Sequence, residues 1–143
     1  MTVLDKNEQF SDSQALTATA DSTNYRDNTI DRDMGAGEPM AAIIYVETVL
    51  GGTSSPTIAV SIETDDNTSF SSGRVIATSK AYTVAEVDDG VEIVVPMPMT
   101  NERYLQLIYT LTGTSPTATV SSYFLPMSSA EVQRYYPNNY TIS

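Results

Sequence analysis

Residues 57–65, TIAVSIETD, alternate without a break: Ile58, Val60 and Ile62 point one way, Thr57, Ala59, Ser61, Glu63 and Asp65 the other. A period of two is the signature of a strand with one buried and one wet face. RYLQLIYTLT (103–112) repeats it with Leu105, Leu107, Tyr109 and Leu111 on one side. VEIVV (91–95) does so with Val91, Ile93 and Val95, and TATVSSYFL (117–125) with Ala118, Val120 and Phe124. MAAIIYVETVL (40–50) is apolar on both faces in its first half, which predicts a central strand. No long window carries the 3.6-residue apolar period of an amphipathic helix, and Thr, Val, Ile and Tyr outweigh the helix formers. The chain is therefore expected to be all-β.

Turn signals punctuate these runs. GGTSSP (51–56), DNTSFSSG (66–73), VDDG (87–90) and GTSP (113–116) are expected to reverse the chain, with Phe70 tucked over the core edge. RVIATS (74–79) and KAYTVAE (80–86) are expected to be short strands. PMPMTNE (96–102) cannot continue a ladder, because each Pro lacks an N–H. With one or two strands before Met40, about eight strands result, which fits a jelly roll or related Greek-key β-sandwich. A length of 143 residues suits a single domain. Its expected parts are an N-terminal arm with the first strands (1–39), a sandwich core (40–125) and a C-terminal tail (126–143). The tail has room for a short helical turn at Ser128–Arg134, ended by Pro137.

Chemistry is scarce. The absence of Cys and His removes disulfides, thiolate nucleophiles, Cys/His zinc sites and imidazole acid–base catalysis together. Asp31, Asp33 and Glu38 beside Gly35 and Gly37 resemble half a calcium loop. Gly35 stands where a third ligand belongs, however, and Ala42 holds the twelfth position, so a solvated turn is expected. Gly35 and Gly37 are not a phosphate loop, since no Lys-Ser/Thr follows. The adjacent carboxylates Asp65–Asp66 and Asp88–Asp89 read as turn formers and solubilisers. Asn67 and Asn139 match glycosylation acceptors, but MTVLDKNEQF has neither the basic start nor the apolar middle of a secretory signal. No catalytic residue, metal or cofactor is expected. A net charge of −11 with scattered basic residues argues against nucleic acid and anionic membrane, and no apolar run approaches the ~20 residues of a span.

Two segments stand apart from the sandwich. FSDSQALTATADSTNYRD (10–27) alternates small and polar residues, with Phe10, Leu16 and Tyr25 as its sizeable apolar groups. Such a stretch suits a strand lying flat on a neighbouring surface, with Arg26 beside Tyr25. At the other end Tyr135, Tyr136 and Tyr140 crowd among Pro and Asn, after Arg134. These rings either pack back on their own sandwich or meet another molecule. Tyr gives large amphipathic contact area, which interfaces use, and the weight falls on contact. Phe10, Leu16, Tyr25, Arg26, Arg134, Tyr135, Tyr136 and Tyr140 are thus the expected contact residues.

Several of these stretches together carry a resemblance. DKNEQFSDSQALTATADSTN followed by RDMGAGEP, then SIETDDNTSFSS, RYLQLIYTLTG and finally YYPNNY, in that order and spacing, resemble a family of capsid cement (decoration) proteins of tailed phages with HK97-like shells. SIETDDNTSFSS is similar to the family's strand-and-loop pattern LQTSDDEAFSS. The resemblance implies a jelly-roll sandwich on the outer surface of an assembled virion capsid, made in the host cytoplasm. It would bridge subunits of the major capsid protein and act as a homo-oligomer, dimer or trimer. Where the family carries an apolar run after STN, this chain has Tyr25, Arg26, Asp27 and Asn28, so a polar or charge-paired version of that contact is expected. Two non-enzymatic alternatives stay open: a carbohydrate- or receptor-binding sandwich on a virion, and another virion structural subunit.

Overall fold

The computed structural model describes residues 9–27, 40–48, 50–88, 92–98 and 102–126. It is a β-sandwich. The strands are β1 (Gln9–Leu16), β2 (Ala20–Asp21), β3 (Arg26–Asp27), β4 (Met40–Val46), β5 (Gly51–Asp65), β6 (Arg74–Thr78), β7 (Tyr82–Thr83), β8 (Ile93–Pro96) and β9 (Tyr104–Pro126), with one helical turn, α1 (Val84–Asp88), after β7. All pairings are antiparallel.

β9 organises everything else. Its first half, from Tyr104, pairs with β5 on one side and with β2 and β3 on the other. Its second half, to Pro126, pairs with β1 and β4 instead. One strand thus runs through both sheets, a device that needs a sharp bend in the middle. The bend lies where the sequence predicts two turns. GGTSSP and GTSP do not reverse the chain; they face each other across the β5–β9 ladder, with Thr53 opposite Thr114 and register shifts on either side. Gly52, Ser54, Ser55, Gly113 and Ser115 all take positive φ. A Cβ on Gly113 would come within 2.8 Å of the Thr53 carbonyl oxygen, so the two backbones can approach this closely only with glycine there. The turn chemistry is real, but it kinks a paired ribbon instead of closing a hairpin.

The bend also switches parity. Leu105, Leu107, Tyr109 and Leu111 face inward before it, and Ala118, Val120 and Phe124 after it. They meet Ile58, Val60 and Ile62 of β5, Ala42 and Ile44 of β4, and Ile93 and Val95 of β8 in one core. The alternating strands therefore bury the faces expected of them. Val91 lies outside the described residues. β4 sits between β9 and β8, and Ala41 and Ile43 are also buried on its second face, with Val94 and Tyr123 packed against them. This is the central strand its two-sided apolar pattern predicts.

KAYTVAE departs from expectation. Only Tyr82–Thr83 pairs, and the chain then turns into α1. Thr83 Oγ1 accepts the Glu86 N–H at 3.4 Å and donates to the Glu86 carboxylate at 3.3 Å. Thr-Val-Ala-Glu is thus a capping-box arrangement that ends the strand, and the Lys80–Glu86 ion pair closes it.

The opening stretch departs most. Phe10 and Leu16 are each 2 % exposed, inside the core, and the Phe10 ring meets Phe124 edge-on at 6.2 Å. The neighbour this stretch lies on is its own β9, with Ala15 opposite Thr119 and Leu16 opposite Ala118. Its small polar residues complete hydrogen bonds along that strand. Leu111 N–H donates to Thr19 Oγ1, Leu107 N–H donates to Ser22 Oγ, and Ser22 N–H donates to the Leu107 carbonyl. Gln14 ties the segment together: its carbonyl oxygen accepts from Ser11, from the Thr23 N–H and from the Thr23 hydroxyl, while its amide donates to the Asp21 carbonyl. Two aromatic or aliphatic anchors suffice because the rest of the attachment is polar.

A buried hydroxyl chain bolts the two sheets. Tyr109 Oη lies 2.7 Å from Ser11 Oγ and 2.5 Å from Ser122 Oγ. Ser11 Oγ donates to Gln14, so it accepts from Tyr109, which in turn accepts from Ser122. Every hydroxyl is satisfied, which lets the core tolerate them.

Candidate functional site

Among the expected contact residues inside the described chain, the structure separates the core from the surface. Phe10 and Leu16 are core residues: their apolar bulk fills the sandwich and faces no neighbour. Arg26 is half-buried, its guanidinium 4.9 Å over the Phe124 ring. Tyr25 is the surface residue, 47 % exposed. Arg134, Tyr135, Tyr136 and Tyr140 lie outside the described residues, as do Asp31, Asp33, Glu38, Asp89, Asn139 and the turn expected at Ser128–Arg134.

Tyr25 does not stand alone. Its ring is edge-on to Tyr104 at 5.5 Å and to Phe70 at 6.4 Å. Arg103 lies 5.0 Å over the Tyr104 ring and holds the Asp27 carboxylate in a two-pronged pair, Nε at 2.8 Å and Nη2 at 3.1 Å. Asp27 is thus paired within the chain. The register explains the convergence: Tyr104 is opposite Asp27 on one side and opposite Asp65 on the other. Three stretches distant in sequence, 25–27, 65–73 and 103–104, thus meet at one end of one sheet. Aromatic side chains and Arg are the types that binding hot spots favour, and rings that already brace one another lose little entropy on contact.

The stretch 65–73 is shaped by a buried acid. Asp65, 3 % exposed, accepts the Asp66 N–H at 2.7 Å, the Ser72 N–H and hydroxyl at 2.9 Å each, and the Asn67 amide at 3.1 Å. Burial works against its charge, but the hydrogen bonds from Ser72 and Asp66 outweigh it and hold the carboxyl below the ordinary aspartate value. The loop so folded presents Phe70 at φ 51, an uncommon backbone state for an aromatic residue. Asn67 spends its side chain inside the loop, donating to Asp65 and Asp66 and accepting from Ser69, which leaves its glycosylation-like motif a loop-building element.

Phe70, Arg103, Asp27 and Tyr104 were not among the expected contact residues. The available signal was the set of short stretches STNYRD, TDDNTSFSS and RYLQL, each low in complexity, whose meeting depends on β-register. Among the described residues no cluster of acids could hold a metal ion, and no helix is long and apolar enough to cross a membrane.

No curated protein matches the chain. A protein-family model, Bbp16, matches residues 10–125, and its name suggests a phage-related protein. The match takes in all but the first residue of β1, β2 to β8, all but the last residue of β9 and every residue of the aromatic surface, and the chain belongs to the Bbp16 family.

Proposed function

We propose that this protein is a non-enzymatic capsid cement, or decoration, protein. It binds the outside of an assembled HK97-like phage shell, bridges major capsid protein subunits and works as a homo-oligomer. The observation that supports this most is the surface at Tyr25, Phe70, Tyr104 and Arg103, built from the very segments whose order resembles the cement proteins. A protein that binds the assembled shell and not its separated subunits stabilises the shell by mass action. A standard interface of about 1,600 Å² lies within reach of a sandwich this size. The net charge of −11 favours encounter with basic patches on the shell. Many copies acting on one particle add up even when each contact is weak. The test is to mix the purified protein with undecorated shells and follow co-sedimentation. Saturable binding is expected, and shells that sediment without it remove the reading.

A further inference from the structure

The Asp65 loop is built unlike a solvated turn. A carboxylate almost closed off from water accepts hydrogen bonds only from its own loop: the Asp66 and Ser72 backbone N–H groups, the Ser72 hydroxyl and the Asn67 amide. Outside that set the loop is held by Asn67, which accepts from the Ser69 N–H and hydroxyl at 3.0 and 2.6 Å and donates to Asp66 at 3.3 Å, and by two longer backbone bonds, Phe70 N–H to the Asn67 carbonyl at 3.4 Å and Gly73 N–H to the Phe70 carbonyl at 3.3 Å. Residues 66–73 carry no ladder of their own, and Phe70 is held at positive φ.

The nearest titratable group is Asp66, whose side chain also bears on the Asp65 carboxyl and helps to hold its charge. Asp66 accepts from Asn67. On β5 itself, Glu63 accepts from Gln106 at 2.5 Å. From β9, Tyr104 lies opposite Asp65 in register, and the neighbouring Arg103 is bound to Asp27 of β3. Glu102 precedes Arg103, and Arg26 lies over Phe124. From β6, Arg74 sits opposite Thr64. Among the described residues no cation shares a hydrogen bond with the Asp65 carboxylate, so the loop's own donors are what its charge holds in place.

We propose that Asp65 is an acid-releasable latch: a proton taken from solvent by its carboxylate opens residues 66–73 and withdraws Phe70 from Tyr25, while the two sheets stay folded. The chemistry is a conflict of donors. Both carboxylate oxygens accept N–H or O–H groups, and a proton on either one turns an acceptor toward a donor. With the loop freed, Phe70 leaves its uncommon backbone state and the aromatic surface loses one of its three rings. The device thus dismantles the surface in acid without unfolding the protein. It belongs to the surface whatever partner that surface meets, and its test uses the free protein, so its failure and that of the cement reading are separate results.

The experiment is solution NMR of the protein from pH 7 to about 2.5, around the ordinary aspartate value of about 3.9. It follows the ring-to-ring nuclear Overhauser contact of Tyr25 and Phe70, the amide shifts of residues 66–73, and the core amides of Leu107 and Tyr109. The contact is expected to vanish and the loop amides to shift together, with a midpoint below 3.9, while the core amides hold their positions. Asp65→Asn, close in shape but with an amide nitrogen in place of one acceptor, should lack the contact at pH 7 and show no acid step. Ser72→Ala, which removes one donor, should move the midpoint upward. A contact that persists at the acid end, an Asp65→Asn protein that keeps it, or a loss that coincides with collapse of the core amides would each overturn the latch.

Discussion

The ring of Tyr25 stands edge-on to the ring of Tyr104, with centroids 5.5 Å apart and planes at 87°. Tyr25 immediately precedes β3 and Tyr104 begins β9, and pairing of Asp27 with Tyr104 sets them side by side. The exposed ring is thus braced before any partner arrives. Replacing it should cost contact and spare the fold. Tyr25→Ala is expected to change unfolding free energy by less than about 1 kcal/mol while weakening shell binding by about 2 kcal/mol or more. Chemical denaturation and co-sedimentation measure the two.

Phe10 should behave in the opposite way. Buried in the core against Phe124, it is expected to cost about 3–5 kcal/mol on truncation to Ala. Any loss of binding by Phe10→Ala should follow its loss of folded protein. Denaturant midpoints of Phe10→Ala and Tyr25→Ala, set beside their binding, separate a core residue from a contact residue.

Gly113 should not tolerate a side chain. It sits at φ 104, with the Thr53 carbonyl oxygen 2.8 Å from where a Cβ would stand. Gly113→Ala is expected to lose about 1–3 kcal/mol, because the kink that lets β9 join both sheets must shift. Urea unfolding of the variant checks this. A neutral result would mean the bend is not built as described.

The hydroxyl bolt makes an alkaline prediction. Burial pushes the Tyr109 phenol up, and its bonds to Ser11 and Ser122 offset part of the rise. The folded chain therefore holds this proton more tightly than the unfolded chain. Its contribution to stability is whole below the unfolded tyrosine value of about 10 and is lost as pH rises from there through the folded value. Tyr109→Phe should lose about 1–2 kcal/mol near neutrality through the unpaired hydroxyls, and its deficit relative to the native protein should shrink above pH 10. Unfolding curves of both proteins across that range measure the difference.

The sandwich was legible in the sequence where side chains alternate. Ile58, Val60, Ile62, Leu105, Leu107, Tyr109, Val120 and Phe124 all face the core as their spacing predicts, because a period of two leaves a strand one way to bury them. GGTSSP and GTSP were misleading for a physical reason. Positive-φ residues serve a hairpin and a bulge equally, and the choice between them is made by the partner strand. Thr83 and Glu86 did carry a local capping signal, which the apolar pattern of KAYTVAE obscured. Phe10 and Leu16 looked too sparse to join a core because the attachment of their segment is mostly polar, through Gln14, Thr19 and Ser22. The aromatic surface was the least legible. Tyr25 announced itself, but its partners Phe70, Tyr104 and Arg103 reach it through register and through a loop folded on Asp65, and neither is local in sequence.

The most direct test of the cement reading is the thermal disruption of shells that lack this protein, measured with and without it added back. Saturating amounts of the native chain should raise the disruption temperature, and a well-folded Tyr25→Ala protein should raise it far less. Shells that come apart at the same temperature with and without the native protein would contradict the account.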